Sequence, residues 1–207
     1  MAVRSPVLTD NSTLSKIDQS LYRVESWFAL LSGIAVFSLM ILAVVSVSGR
    51  HLFNQPLPGY VDWIEQAMPL IAFMGVAYTQ RDGGHIRMDI LVSRLKGRAL
   101  WAVEFITVLM MLAVMLILVW GSWAHFQRSF DFNSPMWSRD SSMDIALPLW
   151  PSKLLAPVAF GVLCLRLVLQ LVAFGHAFIT NATSPPAVPL IEDVVTQAAK
   201  EADTVSG

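Results

Sequence analysis

Polar breaks divide this chain into four apolar stretches. Residues 27–48 run for 22 positions without a charge, and about 20 apolar residues suffice to cross a hydrocarbon core, so a first transmembrane helix is predicted there. Arg50 and His51 mark its exit, and the Asn54–Gly59 stretch, with two prolines and a glycine, reads as a turn. A second helix is predicted over 62–81, with Pro69 and Gly75 inside it and the Gly83-Gly84 pair as its C-terminal stop. The third, 100–123, is apolar apart from Glu104 and carries Trp101 at one end and Trp120 and Trp123 at the other, the placement expected of interfacial aromatic belts. The fourth, 153–174, is interrupted only by Pro157 and Arg166.

The segments between these spans have their own patterns. Within residues 1–26, Leu14, Ile17, Leu21 and Val24 fall at helical intervals, which predicts a short amphipathic helix on the membrane surface. Over 86–96, Met88, Leu91, Val92 and Leu95 share one helical face flanked by charge, so that segment is expected to lie at the interface. Residues 124–152 form the longest loop, rich in aromatics and mixed in charge; a structureless loop of this length is unusual, so a short helix or a docking contact is expected there. The tail, 177–207, reads as largely disordered. The fold class predicted is an all-α integral membrane protein with four transmembrane helices and amphipathic interfacial segments. It divides into an N-terminal segment (1–26), a four-helix membrane domain (27–176) and the tail.

Composition supports this reading: of the 207 residues, 55% are hydrophobic and 14% charged, against about 25% charged in a soluble domain. A formal net charge of −1 gives no attraction to nucleic acid. The single cysteine, Cys164, lies in an apolar run and is read as a packing residue. The N-terminus lacks the apolar core of a cleavable signal peptide, so the first span is expected to be its own uncleaved signal. Nine cations (Arg4, Lys16, Arg23, Arg81, Arg87, Arg94, Lys96, Arg98, Lys200) fall on one side of the predicted topology and four (Arg50, Arg128, Arg139, Lys153) on the other. The positive-inside rule then places both termini in the cytoplasm.

Few residues in this pattern offer chemistry. Asp62 and Glu65 have capping-box spacing, in which the first side chain accepts from a free backbone N–H and the second reaches back; the functional alternative for Glu65 is a contact to a neighbouring protein. Glu104 and Arg166 are ionisable residues inside spans, where charge is costly enough to mark a site. A Glu104–Arg166 pair or an Arg166 contact to a partner is one reading; snorkelling of Arg166 and dipole complementation by Glu104 is the other. The histidines lie at span ends, unlike the facing pair that a haem-binding bundle needs. No HExxH, Cys pair, GxSxG or phosphate loop is present, so neither catalysis, a cofactor nor a metal is expected. The absence of repeated halves argues against an independent transporter and favours an accessory subunit.

The run Glu65-x3-Pro69-x3-Phe73-x-Gly75-x-Ala77-x3-Arg81-x2-Gly84-His85-Ile86-x2-Asp89 resembles the small membrane subunit of tripartite ATP-independent periplasmic (TRAP) transporters. Leu147-Pro148-Leu149-Trp150-Pro151, Pro157 and Leu165-Arg166 are similar to that family's loop and last span. Departures are the loop around 133–144 and the extended tails. The resemblance implies a non-catalytic subunit that clasps the static scaffold of a large permease, which imports an organic acid, often a carboxylate, with sodium ions. A periplasmic binding protein delivers the cargo. At this length no fused large subunit fits, so a separate chain is expected to supply it. The predicted partner interface comprises Glu65, Arg81, His85, Asp89, Glu104, Arg166 and Trp150, while Arg94, Lys96 and Arg98 are assigned to anionic lipid headgroups. Whether the outer loop touches the binding protein is left open by the sequence, with Trp137, Trp150 and Phe132 as the residues through which to test it. The competing reading is a membrane-anchor subunit of a respiratory oxidoreductase, which requires haem or quinone ligands within the spans.

Overall fold

A computed structural model of the chain describes residues 7, 13–55, 57–81 and 98–180. Among the described residues five α-helices follow one another: α1 (Thr13–Phe53), α2 (Tyr60–Met74), α3 (Val76–Arg81), α4 (Arg98–Ser129) and α5 (Trp150–Thr180), with a 3₁₀ turn at Pro135–Trp137 between the last two. No β-strand occurs among the described residues; two isolated bridges, Phe130 with Ser138 and Ser141 with Pro148, pin the loop before α5. Three helices, α1, α4 and α5, are long and apolar enough to cross a membrane.

The predicted 62–81 span is helical but interrupted. Its helix starts two residues early, at Tyr60, and breaks at Gly75 into pieces of 15 and 6 residues. Pro69 cannot donate to the carbonyl four residues back, and the Gly75 carbonyl accepts from both the backbone N–H and the hydroxyl of Thr79. A fourth uninterrupted span is therefore absent among the described residues.

The N-terminus departs further from expectation. The predicted surface helix and first span form one continuous helix of 41 residues, about 60 Å long at 1.5 Å per residue. Its first turns are amphipathic in the opposite sense to that of a helix on a water-soluble core: Ser15, Asp18 and Glu25 are fully buried, while Ile17 and Val24 are exposed. Polar residues three and seven positions apart share a helix face. In lipid the unfavourable exposure is that of the polar face, so that face turns toward the protein.

Packing is a row. The most extensive contact is α4 on α5; α5 also receives α2 and α3, and α1 lies mainly against α2. The core collects around α5, where Leu163, Leu167, Phe174 and Ala177 recur at helical spacing and meet Ala77, Trp101 and Val108. Trp101, placed by its sequence position in an aromatic belt, is instead buried and stacks on Phe174 at 6.0 Å between centroids. Phe73 and Phe160 join α2 to α5 edge to face at 5.0 Å, and the Ser32 hydroxyl donates to the Ile71 carbonyl, tying α1 to α2.

Candidate functional site: a buried charge cluster and a clamped loop

Three helices contribute to a cluster of four charges. Arg166, on the α5 face that also buries Leu163 and Gln170, is wholly inaccessible. Its Nε and Nη2 donate to the two carboxylate oxygens of Glu25 at 2.7 and 2.6 Å, and its Nη1 donates to Asp18. Arg81, the last residue of α3, donates to the same Asp18 through Nε at 3.3 Å and Nη2 at 2.8 Å. The Arg166–Glu25 and Arg81–Asp18 pairs are bidentate, the geometry that a planar fork makes strongest. The Arg81 guanidinium also lies 4.1 Å from the centre of the Tyr22 ring, and Tyr22 stacks on Tyr78 at 5.9 Å. Tyr22 lies between Asp18 and Glu25 on the helix, so the polar stripe of α1 includes an aromatic ring with a cation over it.

One turn beyond Arg166, Gln170 extends the cluster. The Gln80 amide donates to its side-chain oxygen at 2.9 Å, and the Gln170 amide donates back to the Gln80 carbonyl at 3.4 Å. Among the described residues, two cations of the cluster face two anions. Burial of ions is tolerated only when the pairing is close and further hydrogen bonds satisfy the remaining donors.

The residues singled out from sequence are distributed differently from expectation. Arg166 pairs with Glu25 and Asp18, not with Glu104. Glu104 is buried in the first turns of α4 and is engaged there. Arg81 is buried in the cluster, Glu65 is exposed on α2, and Arg98 is the exposed first residue of α4. His85, Asp89, Arg94 and Lys96 lie outside the described residues. Asp18, Glu25, Gln80 and Gln170 escaped the sequence reading. The available signal was the polar stripe Ser15, Asp18, Tyr22, Glu25, whose meaning reverses in a membrane chain.

At the opposite end of the row, Asp62 does not form the predicted capping box. The residue before α2 is Gly59, in the left-handed region at φ 70°, and no side chain caps the helix. A Cβ at Gly59 would lie 2.6 Å from the Ile145 side chain, so glycine here serves both the turn and the close approach of the loop. One Asp62 oxygen accepts from the Ser142 hydroxyl at 2.6 Å and from the backbone N–H groups of Asp144 and Ile145 at 3.1 and 2.8 Å. The Ser142 hydroxyl accepts in turn from Leu147 N–H, and Gln66 donates to the Pro148 carbonyl at 2.7 Å. The loop between α4 and α5, residues 130–149 and so shorter than the predicted 124–152, is thereby stitched to α2.

Two further ion pairs hold that loop: Lys153 with Asp140 at 2.6 Å and Arg139 with Asp131 at 3.1 Å. The hydrogen bond from Lys153 holds the Asp140 carboxyl below its ordinary range. For Asp131 the main cause is the Asn133 backbone N–H, followed by Arg139. Both groups have folded-state pKa values below their unfolded ones. Their contribution is therefore complete above the ordinary aspartate value of about 3.9 and is lost as pH falls through the depressed values. Backbone protection factors for residues 131–142 should be flat from about pH 8 to 5 and fall only below about pH 4. A loss centred near neutrality would contradict this assignment.

Among the described residues no group of three or more His, Cys, Asp or Glu could hold a metal ion. Residues 39–174 match the family model described as tripartite ATP-independent periplasmic transporters, DctQ component. Arg81 and Arg166 fall inside that range, whereas Asp18 and Glu25 precede it. A Haemophilus influenzae protein named as a TRAP transporter small permease protein is 25% identical over 136 residues, covering 65% of this chain and 82% of the relative. With the matched range spanning well over half of its length, the chain belongs to the DctQ family, the small permease component of TRAP transporters.

Proposed function

We propose that this subunit is a non-catalytic brace for the scaffold of a separate large permease, in a sodium-coupled system that imports an organic acid delivered by a periplasmic binding protein. The observation that carries the reading is the charge cluster: its two carboxylates neutralise two guanidiniums inside the chain, locking α1, α3 and α5 together. A static brace needs such closure. The family description supplies the tripartite, periplasmic setting, and it disfavours the oxidoreductase-anchor alternative.

On this reading α2 and α3 together make a fourth crossing, kinked at Gly75, and both termini lie in the cytoplasm of an inner-membrane protein. Glu65 and Trp150 meet the large subunit directly. Arg81, Glu104 and Arg166 serve the interface by fixing the helices that form it. His85 and Asp89 belong to the clasp, and Arg94, Lys96 and Arg98 to anionic headgroups.

The test is reconstitution. Binding-protein-dependent, sodium-driven uptake of organic acids into proteoliposomes is expected only when the large permease and this chain are both present; full uptake by the large permease alone would overturn the bracing role. Neutralising Arg94, Lys96 and Arg98 together should leave co-purification with the large permease intact, and its loss would reassign those cations to the protein interface.

A further inference from the structure

The loop between α4 and α5 displays large apolar side chains that the charge cluster and the Asp62 clamp do not explain. Phe132 is 76% exposed, Met136 66% and Trp137 54%. Their backbone is held in place. Met136 and Trp137 both have positive φ, 54° and 58°, a region that L residues enter at a cost. The conformation is secured by the Trp150 indole N–H donating to the Met136 carbonyl at 3.1 Å and by Asp131 N–H donating to the Trp137 carbonyl at 3.1 Å. Phe132, Met136 and Trp137 offer apolar and aromatic contact at this tip. Four charges of the loop and its borders close into the Asp131–Arg139 and Asp140–Lys153 pairs, which carry no net charge between them.

The tip also lies at the end of a helix that is long and apolar enough to cross a membrane and exposes large apolar side chains. On α4, Ile117 and Trp120 are among the most exposed side chains of a membrane-crossing helix. From Trp123 a ladder of rings climbs the helix and leaves it: Trp123 to Phe126 at 5.3 Å, Phe126 to Phe130 at 5.3 Å, and Phe130 to Phe132 at 4.8 Å between centroids. The rings of Phe132 and Trp137 follow at 6.5 Å. Tryptophan and its aromatic neighbours favour the zone where hydrocarbon gives way to headgroups.

From this continuity we infer that the Phe132–Trp137 tip is a membrane-seated element, a rigid aromatic wedge resting in the interfacial zone of the leaflet at the loop end of the row, with phospholipid as its partner. The wedge anchors the α4–α5 end of the subunit at a set depth. Asp62 and the two ion pairs keep the wedge oriented, and lipid covers its outer face. The proposal rests on membrane residence alone and is independent of the bracing role.

The experiment uses the full chain in nanodiscs of phosphatidylcholine and phosphatidylglycerol, in a Cys164→Ala background. Single cysteines replace Phe132, Met136 or, as a control on the same loop, the fully exposed Met143, and each carries an environment-sensitive fluorophore. Met136→Cys preserves every ring of the ladder and so guards against disturbance by Phe132→Cys. At 132 and 136 the emission should be blue-shifted, quenched by lipids spin-labelled near the headgroup, and insensitive to aqueous iodide; at 143 iodide should quench. Water-like emission with iodide quenching at both 132 and 136 would overturn the proposal. So would a blue shift that appears only after a cognate periplasmic binding protein is added, which would make the tip a protein-docking surface.

Discussion

Replacing Arg166 with alanine is expected to destabilise the folded subunit by about 3–5 kcal/mol, the usual consequence of removing one partner from a buried ion pair. Glu25 would lose both of its guanidinium hydrogen bonds and Asp18 one of its two cations. Neither carboxylate can turn to water, since both are fully buried. The effect should appear as a lower thermal midpoint of the detergent-solubilised chain by fluorescence-detected size exclusion. Arg166→Lys should recover only part of the loss, because an ammonium cannot reproduce a bidentate fork to Glu25 while reaching Asp18.

A second measurement separates this from a simple packing defect. In a double-mutant cycle with Glu25→Gln, the Arg166→Ala and Glu25→Gln penalties should be strongly non-additive, because neutralising Glu25 removes part of the charge that Arg166→Ala leaves uncompensated. Additive penalties would mean that the two side chains are neighbours without energetic coupling. The same logic extends to Asp18, which is shared by Arg81 and Arg166: its loss should release α3 as well as α5.

Asp62→Ala is the other change with a large expected effect, and its effect is local. Three donors from the α4–α5 loop converge on one Asp62 oxygen, so the substitution orphans two backbone N–H groups and the Ser142 hydroxyl together. Hydrogen exchange at Asp144, Ile145 and Leu147 should accelerate on the order of tenfold or more, as expected when hydrogen bonds to a charged acceptor are lost. Protection around Arg166 should stay unchanged. Glu65→Ala is the informative control. A capping box would make Asp62 and Glu65 act together at the start of α2, whereas here Glu65 is exposed and the helix start rests on Gly59. An equal loss of loop protection in Glu65→Ala would restore the capping-box account.

Membrane character and three of the helices were legible because they depend on a local property: uncharged apolar runs of about 20 residues have few alternatives to a lipid-spanning helix. The motif around Arg81 and Arg166 was legible for a different reason, since spacing alone carries the family resemblance. The break at Gly75 was only half visible. Pro69 and Gly75 announced a weak point, but a hydropathy reading merges the pieces of 15 and 6 residues into one span.

Tertiary structure alone decided which charge meets which. Glu104 and Arg166 looked like partners because both were seen as isolated charges within spans, yet the acids that pair with Arg166 lie 141 and 148 positions away, in a segment that hydropathy assigns to the membrane surface. Asp18 and Glu25 belong to a pattern that reads equally well in two directions, apolar face down on a bilayer or polar face in against protein. Periodicity is the same in both cases; only the availability of two buried guanidiniums on α3 and α5 selects the second. The sequence by itself determined where this chain leaves water, because that follows from each segment's own transfer free energy. Which faces are buried, and therefore which residues are occupied and which remain for a partner, was decided by long-range packing, because a charge in lipid takes its meaning from whatever the fold brings within hydrogen-bonding distance.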